Sequence, residues 1–394
     1  MAMESIGEDG SLALDKVRSI AEVESGYTFF RDGDVAVAKI TPCFENGKGA
    51  VMRGLQQGLG FGTTELIVAR PIPLHLDSDY LHRIFGSRPF RQLGEATMYG
   101  AGGQKRVPDD FVRDFAIALP PVNEQCVINA FLDRETAKID ALVAEQEQLI
   151  ALLKEKRQAV ISHAVTQGLN PSVPMKDSGV AWLGEVPAHW RVIRLKQLVA
   201  ESVAGPYGAS LTKAMYSSTG YRVYGQQQVI ADDFSIGDYF ISEEKYAEMR
   251  RYTVYEGDVL ISVMGTIGKV AVVTADTKPG IINPRLVRYR CNEKVRPRYL
   301  QRVLMCEKHQ EHLSLESNGT TMEGLNMVTL GKVPVPTPPL NEQQQILAYL
   351  TERDAEFEPL IKEAAKTIQL LIERRTALIS AAVTGQIDVR GVAG

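Results

Sequence analysis

Four groups of residues have types and spacings that could support chemistry, and each reads better as something else. Ile282–Leu286 is INPRL, whose Asn-Pro start matches an amino-methyltransferase motif, but no aromatic follows to stack a flipped base. Gly265–Val270 is GTIGKV, which lacks the GxxxxGK[ST] spacing of a phosphate-binding loop and any hydroxyl after Lys269, so a hairpin turn is expected. His309 and His312 stand three apart on a predicted helix without a third ligand nearby, which predicts a solvated face. Cys43, Cys126, Cys291 and Cys306 are far apart and form no CxxC pair, which fits neither a zinc ribbon nor a disulfide framework and suits a reducing cytosol. No GxGxxG opens a helix and no GxSxG elbow is present. The expectation is a chain with no catalytic residue, metal site or bound cofactor of its own.

Polar loops are the better candidates. ITPCFENGKG (40–49) with Lys39 before it offers Asn46 and Lys48, and MYGAGGQKRVP (98–108) offers Gln104, Lys105 and Arg106. Further along stand Gln226, Gln227 and Gln228, then Lys269 and Arg285, then SNGTTMEG (317–324) with Asn318, Thr320 and Thr321. Amides suit adenine edges, Lys and Arg suit guanine, and all of these donors suit phosphate. Any one such loop is ordinary surface; recurrence at matching places is what points to double-stranded DNA. The net charge of −4 does not oppose this, because local patches decide nucleic-acid affinity. One such patch is the run from Arg285 to Arg302, with seven basic residues against Glu293.

The elements that must position these loops are set by a repeat. Residues 120–166 return at 338–384 at a constant offset of 218, with 22 of 47 positions identical. Two copies at that period indicate a duplicated globular part followed by a long helix, not a solenoid. Asn123 is the expected N-cap, and Gly168, Asn170 and Pro171 stop the run. Ile139, Leu142, Gln146, Leu149, Leu153, Lys156 and Val160 fall at heptad spacing, so a seam is expected against the second copy. A segment of about 30 helical residues would be about 45 Å long. Pro359 replaces Ala141 in the second copy, which predicts a kink or break there, with a matching one near Asp133.

Before each helix lies a mixed pattern. GDVAVAKI (33–40) alternates like a half-buried strand, FGTTELIVARP (61–71) reads as another, a helical segment covers roughly 79–93, and FAIALP (115–120) reads as a short strand. The same order recurs from about 191 to 337, with GDVLISVMGTIGKVAVV (257–273) matching at offset 224. At that offset Met1 corresponds to about residue 225, so the first half lacks a counterpart of about fifty residues that includes MKDSGVAWLGEVPAHWRVIRLK. A late-assigned start or a truncated gene would account for this, and the expectation is in-frame coding sequence upstream of Met1.

PPVNEQ-x2-I-x3-LD-x3-AKID, EKRQAVISHAVTQGLNPSVPMKDSGVAWLGEVPAHW and PPLNEQQQI together resemble the specificity (S) subunits of type I restriction-modification systems. FRDGDVAVAKITPCFENGKGA and GFGTTELIVARP resemble one kind of target-recognition domain in that family. The resemblance covers nearly the whole chain. It implies an α+β fold with two target-recognition domains, 1–119 and 171–337, and two long antiparallel spacer helices in 120–170 and 338–394. It also implies a cytoplasmic, non-catalytic reader of a bipartite DNA site. Two methyltransferase (M) subunits would dock on the helices with S-adenosylmethionine, and restriction (R) subunits would bring ATP and magnesium. Two other classes remain to be separated: a stand-alone nuclease or methyltransferase with a diverged motif, and a coiled-coil adaptor that binds only protein. No run of eighteen apolar residues is present, so no membrane helix is expected.

Overall fold

The computed structural model describes residues 1–101, 103–318 and 324–390. These divide into two compact units, 1–150 with 363–394 and 151–362, so both long helices are shared between units. Each unit is therefore a globular part, the first half of the helix that follows it, and the last half of the other helix.

In unit 1 the short helix α1 (Ile20–Val23) precedes β1 (Thr28–Arg31), β2 (Val35–Ala38), β3 (Gly49–Val51), β4 (Leu59–Gly62) and β5 (Leu66–Ala69). Three of these form a sheet ordered β3-β2-β5, all antiparallel, while β1 pairs with β4. All four residues of β2 are buried, so the strand is not half-exposed as its alternation suggests. Val35 and Val37 face a core that includes Tyr80 and Leu81, whereas Ala36 and Ala38 face a smaller one built on Phe30 and Ile6. A sheet covered on both faces needs apolar residues at every position, and small ones suffice on the side with less room. The helical segment resolves into α2 (Ser78–Gly86) and α3 (Arg88–Thr97), followed by α4 (Asp109–Asp114).

The long helix α5 runs Val122–Gln167, 46 residues, which at 1.5 Å per residue is about 69 Å. Its start is held by Gln125 and not by an Asn123 cap. The fully buried Gln125 amide donates to Pro120 O and His75 O, both at 2.8 Å, and its Oε1 accepts from Asp77 N at 2.8 Å. Asp77 in turn caps α2, so one side chain ties the spacer helix to the domain helix.

In unit 2 a hairpin of β6 (Met175–Asp177) and β7 (Glu185–Pro187) leads to β8 (Arg191–Arg194) and β9 (Val199–Ala204). Then follow β10 (Tyr221–Tyr224), α6 (Gln226–Ala231), β11 (Phe240–Ile241), α7 (Glu243–Glu248), β12 (Val259–Ser262), β13 (Val270–Val272), β14 (Gly280–Ile282) and β15 (Leu286–Cys291). The main sheet is ordered β13-β12-β15-β9, and a smaller one is β11-β10-β14. Helices α8 (Pro297–Met305), α9 (Glu307–Asn318) and α10 (Met327–Lys332) precede β16 (Pro334–Thr337), which pairs with β8, and α11 (Leu340–Val383). Gln343 repeats the latch, with Nε2 donating to Pro338 O and Lys294 O at 2.9 Å and Oε1 accepting from Arg296 N at 2.8 Å.

Helix segments run antiparallel in each unit. Unit 1 buries Ile128 and Leu132 with Ile379, Ala382 and Val383, and pairs Asp140 with Arg375 at 2.9 Å. Unit 2 buries Ile161, Ala164 and Val165 with Ile346 and Leu350, and pairs Arg157 with Asp354 at 2.7 Å. Half of the expected seam is present. Ile139, Gln146, Leu153 and Val160 turn inward, but their partners along α5 are Val143, Ile150, Arg157 and Ala164. Leu142, Leu149 and Lys156 are exposed, because the seam steps by four and then three, the reverse of the expected order. No break occurs at Pro359 or Asp133: both helices are continuous. Proline removes one hydrogen bond at a cost of about 3 kcal/mol, which burial of neighbouring Phe357 and Ala364 offsets. FAIALP also departs from expectation, since residues 115–121 form no strand.

Candidate nucleic-acid interface

The same Gly-Asp turn stands in both units. Gly33 and Gly257 both take positive φ, +89° and +79°, and the following aspartates fold back on the turn. Asp34 accepts from Arg31 N and Asp258 from Tyr255 N, each at 2.9 Å. Their remaining oxygen valences meet arginines from the neighbouring strand: Arg70 on Asp34 at 2.7 and 2.8 Å, and Arg290 on Asp258 at 3.0 and 3.2 Å. The strand leaving each turn carries the backbone to a loop at the far end of the sheet.

At that end two loops meet in each unit. In unit 1 Ile40 bridges Arg106, Thr41 N donates to Lys105 O at 2.9 Å, and Val107 N donates to Lys39 O at 2.8 Å. In unit 2 Met264 bridges Gly324, and Leu325 N donates to Val263 O at 2.9 Å. The two loops that sequence reading singled out are thus joined at corresponding positions twice.

The candidate side chains divide by what already holds them. Gln104, Lys105, Gln227 and Arg285 are exposed. Gln226 lies over the β12–β13 hairpin, donating to Met264 O and Thr266 O and accepting from Arg285 Nη1 at 3.3 Å. Lys39 reaches Asp109 at 3.4 Å, Asn46 donates to Glu8 at 2.9 Å, and Lys48 donates to Met3 O at 3.4 Å. Arg106 is clamped on Glu65 at 2.7 and 2.9 Å. Gln228 is buried, its Oε1 accepting from Gly225 N at 2.8 Å and its amide donating to Ile236 O at 3.0 Å. Lys269 is half-buried at the end of a hairpin, where Ser262 Oγ accepts from Lys269 N at 3.0 Å and donates to Thr266 O at 2.6 Å. That loop is the expected turn. Asn318 ends α9, with no side chain described, and Thr320 and Thr321 lie outside the described residues. One rim residue escaped the sequence reading: Tyr99, 61% exposed and bridged to Arg106, presents a ring from the Gly-rich loop. An aromatic beside glycines in a polar loop was the available signal.

The basic run from Arg285 is less cationic than its sequence. Arg288, buried, meets Glu201 at 2.8 Å and Asp258 at 3.1 Å; Arg290 shares both acids. Arg298 reaches Asp232 at 3.2 Å, Arg302 reaches Asp354 at 2.5 Å, and Arg296 donates to Leu340 O at 3.3 Å. Most of this charge stabilises unit 2 and is not displayed.

The histidines also differ from expectation. His309 is fully buried, edge-on to Trp182, and His312 stacks on the same ring at 4.6 Å. His309 Nε2 donates to Pro334 O at 2.9 Å, which leaves Nδ1 to accept from Cys306 Sγ at 3.2 Å. The pair has the spacing of a nucleophilic dyad, but burial pushes the thiol up to about 11 and the imidazole down to about 4. Both groups stay neutral, so this is core. Among the described residues no cluster of three His, Cys, Asp or Glu could hold a metal, and no helix is long and apolar enough to cross a membrane.

Residues 187–368 match the family model described as the type I restriction modification DNA specificity domain. The chain is 44% identical over 137 residues to the type I restriction enzyme EcoEI specificity subunit of Escherichia coli, covering 35% of this chain and 23% of that protein. It is 23% identical over 303 residues to the EcoDI specificity subunit of Escherichia coli, covering 71% of this chain and 64% of that one. The aligned parts thus span less than two thirds of these relatives. In fold, 98% of the chain superposes on 91% of a chain from a structure of "complex assembly and conformational transition of the type I R-M system", with a TM-score of 0.74 at 19% identity.

Proposed function

We propose that this chain, which belongs to the specificity subunits of type I restriction-modification systems, reads a bipartite double-stranded DNA site and performs no catalysis. The observation that carries the reading is the twice-built rim, where a polar loop after the Gly-Asp strand joins a second polar loop at corresponding positions of two duplicated units. Duplicated heads suit a duplex whose backbones are two-fold related. Within each rim the exposed donors, Lys105, Gln104 and Tyr99 in unit 1 and Gln227 and Arg285 in unit 2, are the contacts; the half-buried Gln226 stands beside Arg285, and Arg106 and Gln228 hold the loops that carry them. The reading heads are 1–119 and 171–337, and the helices of 120–170 and 338–394 are the spacers.

The helices also support docking of two methyltransferase subunits. Leu142 and Leu360 occupy equivalent repeat positions and are 44% and 54% exposed; Leu152 and Leu370 form a second such pair at 53% and 55%. Exposed leucines repeated on both copies suit two equivalent partners. Those partners would supply S-adenosylmethionine and the flipping pocket, and restriction subunits would bring ATP and magnesium, all in the cytoplasm. The test is the chain assembled with its methyltransferase subunits and offered a random duplex library. Selection of one bipartite sequence, with steep salt dependence, is expected. Methyl transfer by the chain alone would instead favour an enzyme, and failure of the assembly to discriminate any sequence would favour a protein-only adaptor.

A further inference from the structure

One cleft in unit 2 carries more positive charge than the acids around it neutralise. It has a volume of about 720 Å³ and lies between residues of α5 and α11 on one side and α6, α8 and the start of β13 on the other. Part of its lining is apolar: Ile161, Val229 and Val270 are buried, and Leu347 is half-buried. Four cations also line it, Lys154, Arg157, Arg298 and Arg302, and only two carboxylates answer them. Asp354 is shared, taking Arg157 Nε on one oxygen at 2.7 Å and Arg302 Nη2 on the other at 2.5 Å. Asp232 takes Arg298 Nη1 at 3.2 Å and Gln301 Nε2 at 3.1 Å, both on Oδ2. Among the described residues Lys154 has no acidic partner.

Unit 1 shows that the fold does not need this surplus. In the duplicate, Arg83 stands for Arg302 and Arg375 for Arg157, and each has an acid to itself, Asp133 and Asp140. Unit 2 places Thr351 where unit 1 has Asp133, Lys154 where it has Ile372, and Arg298 where it has Asp79. Each replacement adds positive charge or removes negative charge. Cations gathered without matching acids repel one another, and a bound anion relieves that repulsion.

We infer that this cleft binds a small organic phosphate, a monoester dianion carried on a flat or apolar body such as a nucleoside. The surplus of two charges matches a phosphate monoester, which carries about −1.5 to −2 near neutral pH. Arg157 and Arg302 each spend one donor on Asp354, and a guanidinium has several more, so both keep donors for an oxyanion, with Lys154 as a third cation. The body lies on Ile161, Val229, Val270 and Leu347. Asp232 Oδ1, which makes no hydrogen bond among the described residues, accepts from a hydroxyl or amine of that body. The volume falls in the range of about 300–1,000 Å³ typical of small-molecule sites. A phosphate of duplex DNA has no free body to place on the apolar lining.

The probes are adenosine monophosphate (AMP), adenosine and inorganic phosphate, each titrated calorimetrically into the full chain without DNA. AMP is expected to saturate at one site per chain, about tenfold or more tightly than either fragment, because each fragment forfeits part of the contacts. Its affinity should fall as pH drops below about 6, where the monoester takes up its second proton. Lys154→Gln and Arg298→Gln should each weaken AMP about tenfold, and Lys154→Arg should keep most of the affinity. Lys156→Gln, on the same helix but outside the cleft, should change nothing. Lys154 has no partner to lose, so its variants should match the parent in denaturation midpoint. Absence of saturation, or equal binding of adenosine and AMP, overturns the inference. So does displacement of AMP by duplex DNA with a salt slope that Lys154→Gln lowers, which assigns the cations to DNA phosphates. Exclusion of AMP on assembly with methyltransferase subunits also overturns it, since that assigns the cleft to an acidic segment of a partner.

Discussion

Arg285 separates the charge proposed to read DNA from the charge that holds the fold. In the free protein it is exposed and makes one side-chain bond, 3.3 Å to a neutral amide oxygen. Arg285→Ala should therefore change folding stability by about 0.5 kcal/mol or less. If Arg285 reads a guanine, its loss costs about 1–3 kcal/mol, or roughly 5- to 150-fold in affinity, at one base position. If it meets a phosphate, the slope of log K against log salt falls by about 0.9 with little change in sequence preference. Arg290→Ala is the control, since that side chain is spent on Asp258 and Glu201. It should lower the denaturation midpoint and leave the salt slope of the folded protein unchanged. The assay is duplex binding across a salt series, with the chain assembled on methyltransferase subunits. An Arg285→Ala complex within about twofold of the parent at every salt concentration, with the same slope, would refute the assignment of this rim.

Other outcomes follow from the same geometry. Gln125→Leu strands Asp77 N, His75 O and Pro120 O, and should destabilise unit 1 by about 3 kcal/mol in denaturant titration, with similar loss for Gln343→Leu in unit 2. Asp258→Asn weakens the hold on the buried Arg288 and should cost about 3 kcal/mol or more, exceeding Asp34→Asn, whose Arg70 is half-exposed. His309 is neutral in the fold, with its pKa lowered to about 4 from 6.5 by burial. Its contribution is complete above about pH 6.5 and is lost as pH falls from there toward 4, so His309→Gln should flatten the decline of stability over that window. Leu142→Glu with Leu360→Glu should leave the denaturation midpoint unchanged and abolish co-purification with methyltransferase subunits.

The duplication and both long helices were legible because a gapless repeat with 22 identities survives in the sequence. The loop pairing was legible only as recurrence; that Ile40 bridges Arg106 depends on tertiary placement. The seam was half-legible, since residues flanking it on both sides are apolar: Leu142 and Val143 are equally hydrophobic, and only packing chooses between them. The basic run misled because its neutralising acids, Glu201, Asp232, Asp258 and Asp354, are distant in sequence. His309 misled for a related reason, as Trp182 covers it from more than a hundred residues away. FAIALP has the composition of a strand, but a strand needs a partner, and composition does not supply one.

The shared helices also set the order in which the protein can be completed during synthesis. Unit 2 is one uninterrupted stretch, 151–362, whereas unit 1 buries Ile379, Ala382, Val383 and Val389 from the end of the chain. The head that leaves the ribosome first must therefore wait, its helix half-covered, until residues 379–389 have been made, while the later head can close before it. Domains usually finish in the order they emerge; here the order is reversed, and a chain released after residue 362 would carry a complete second head and an open first one.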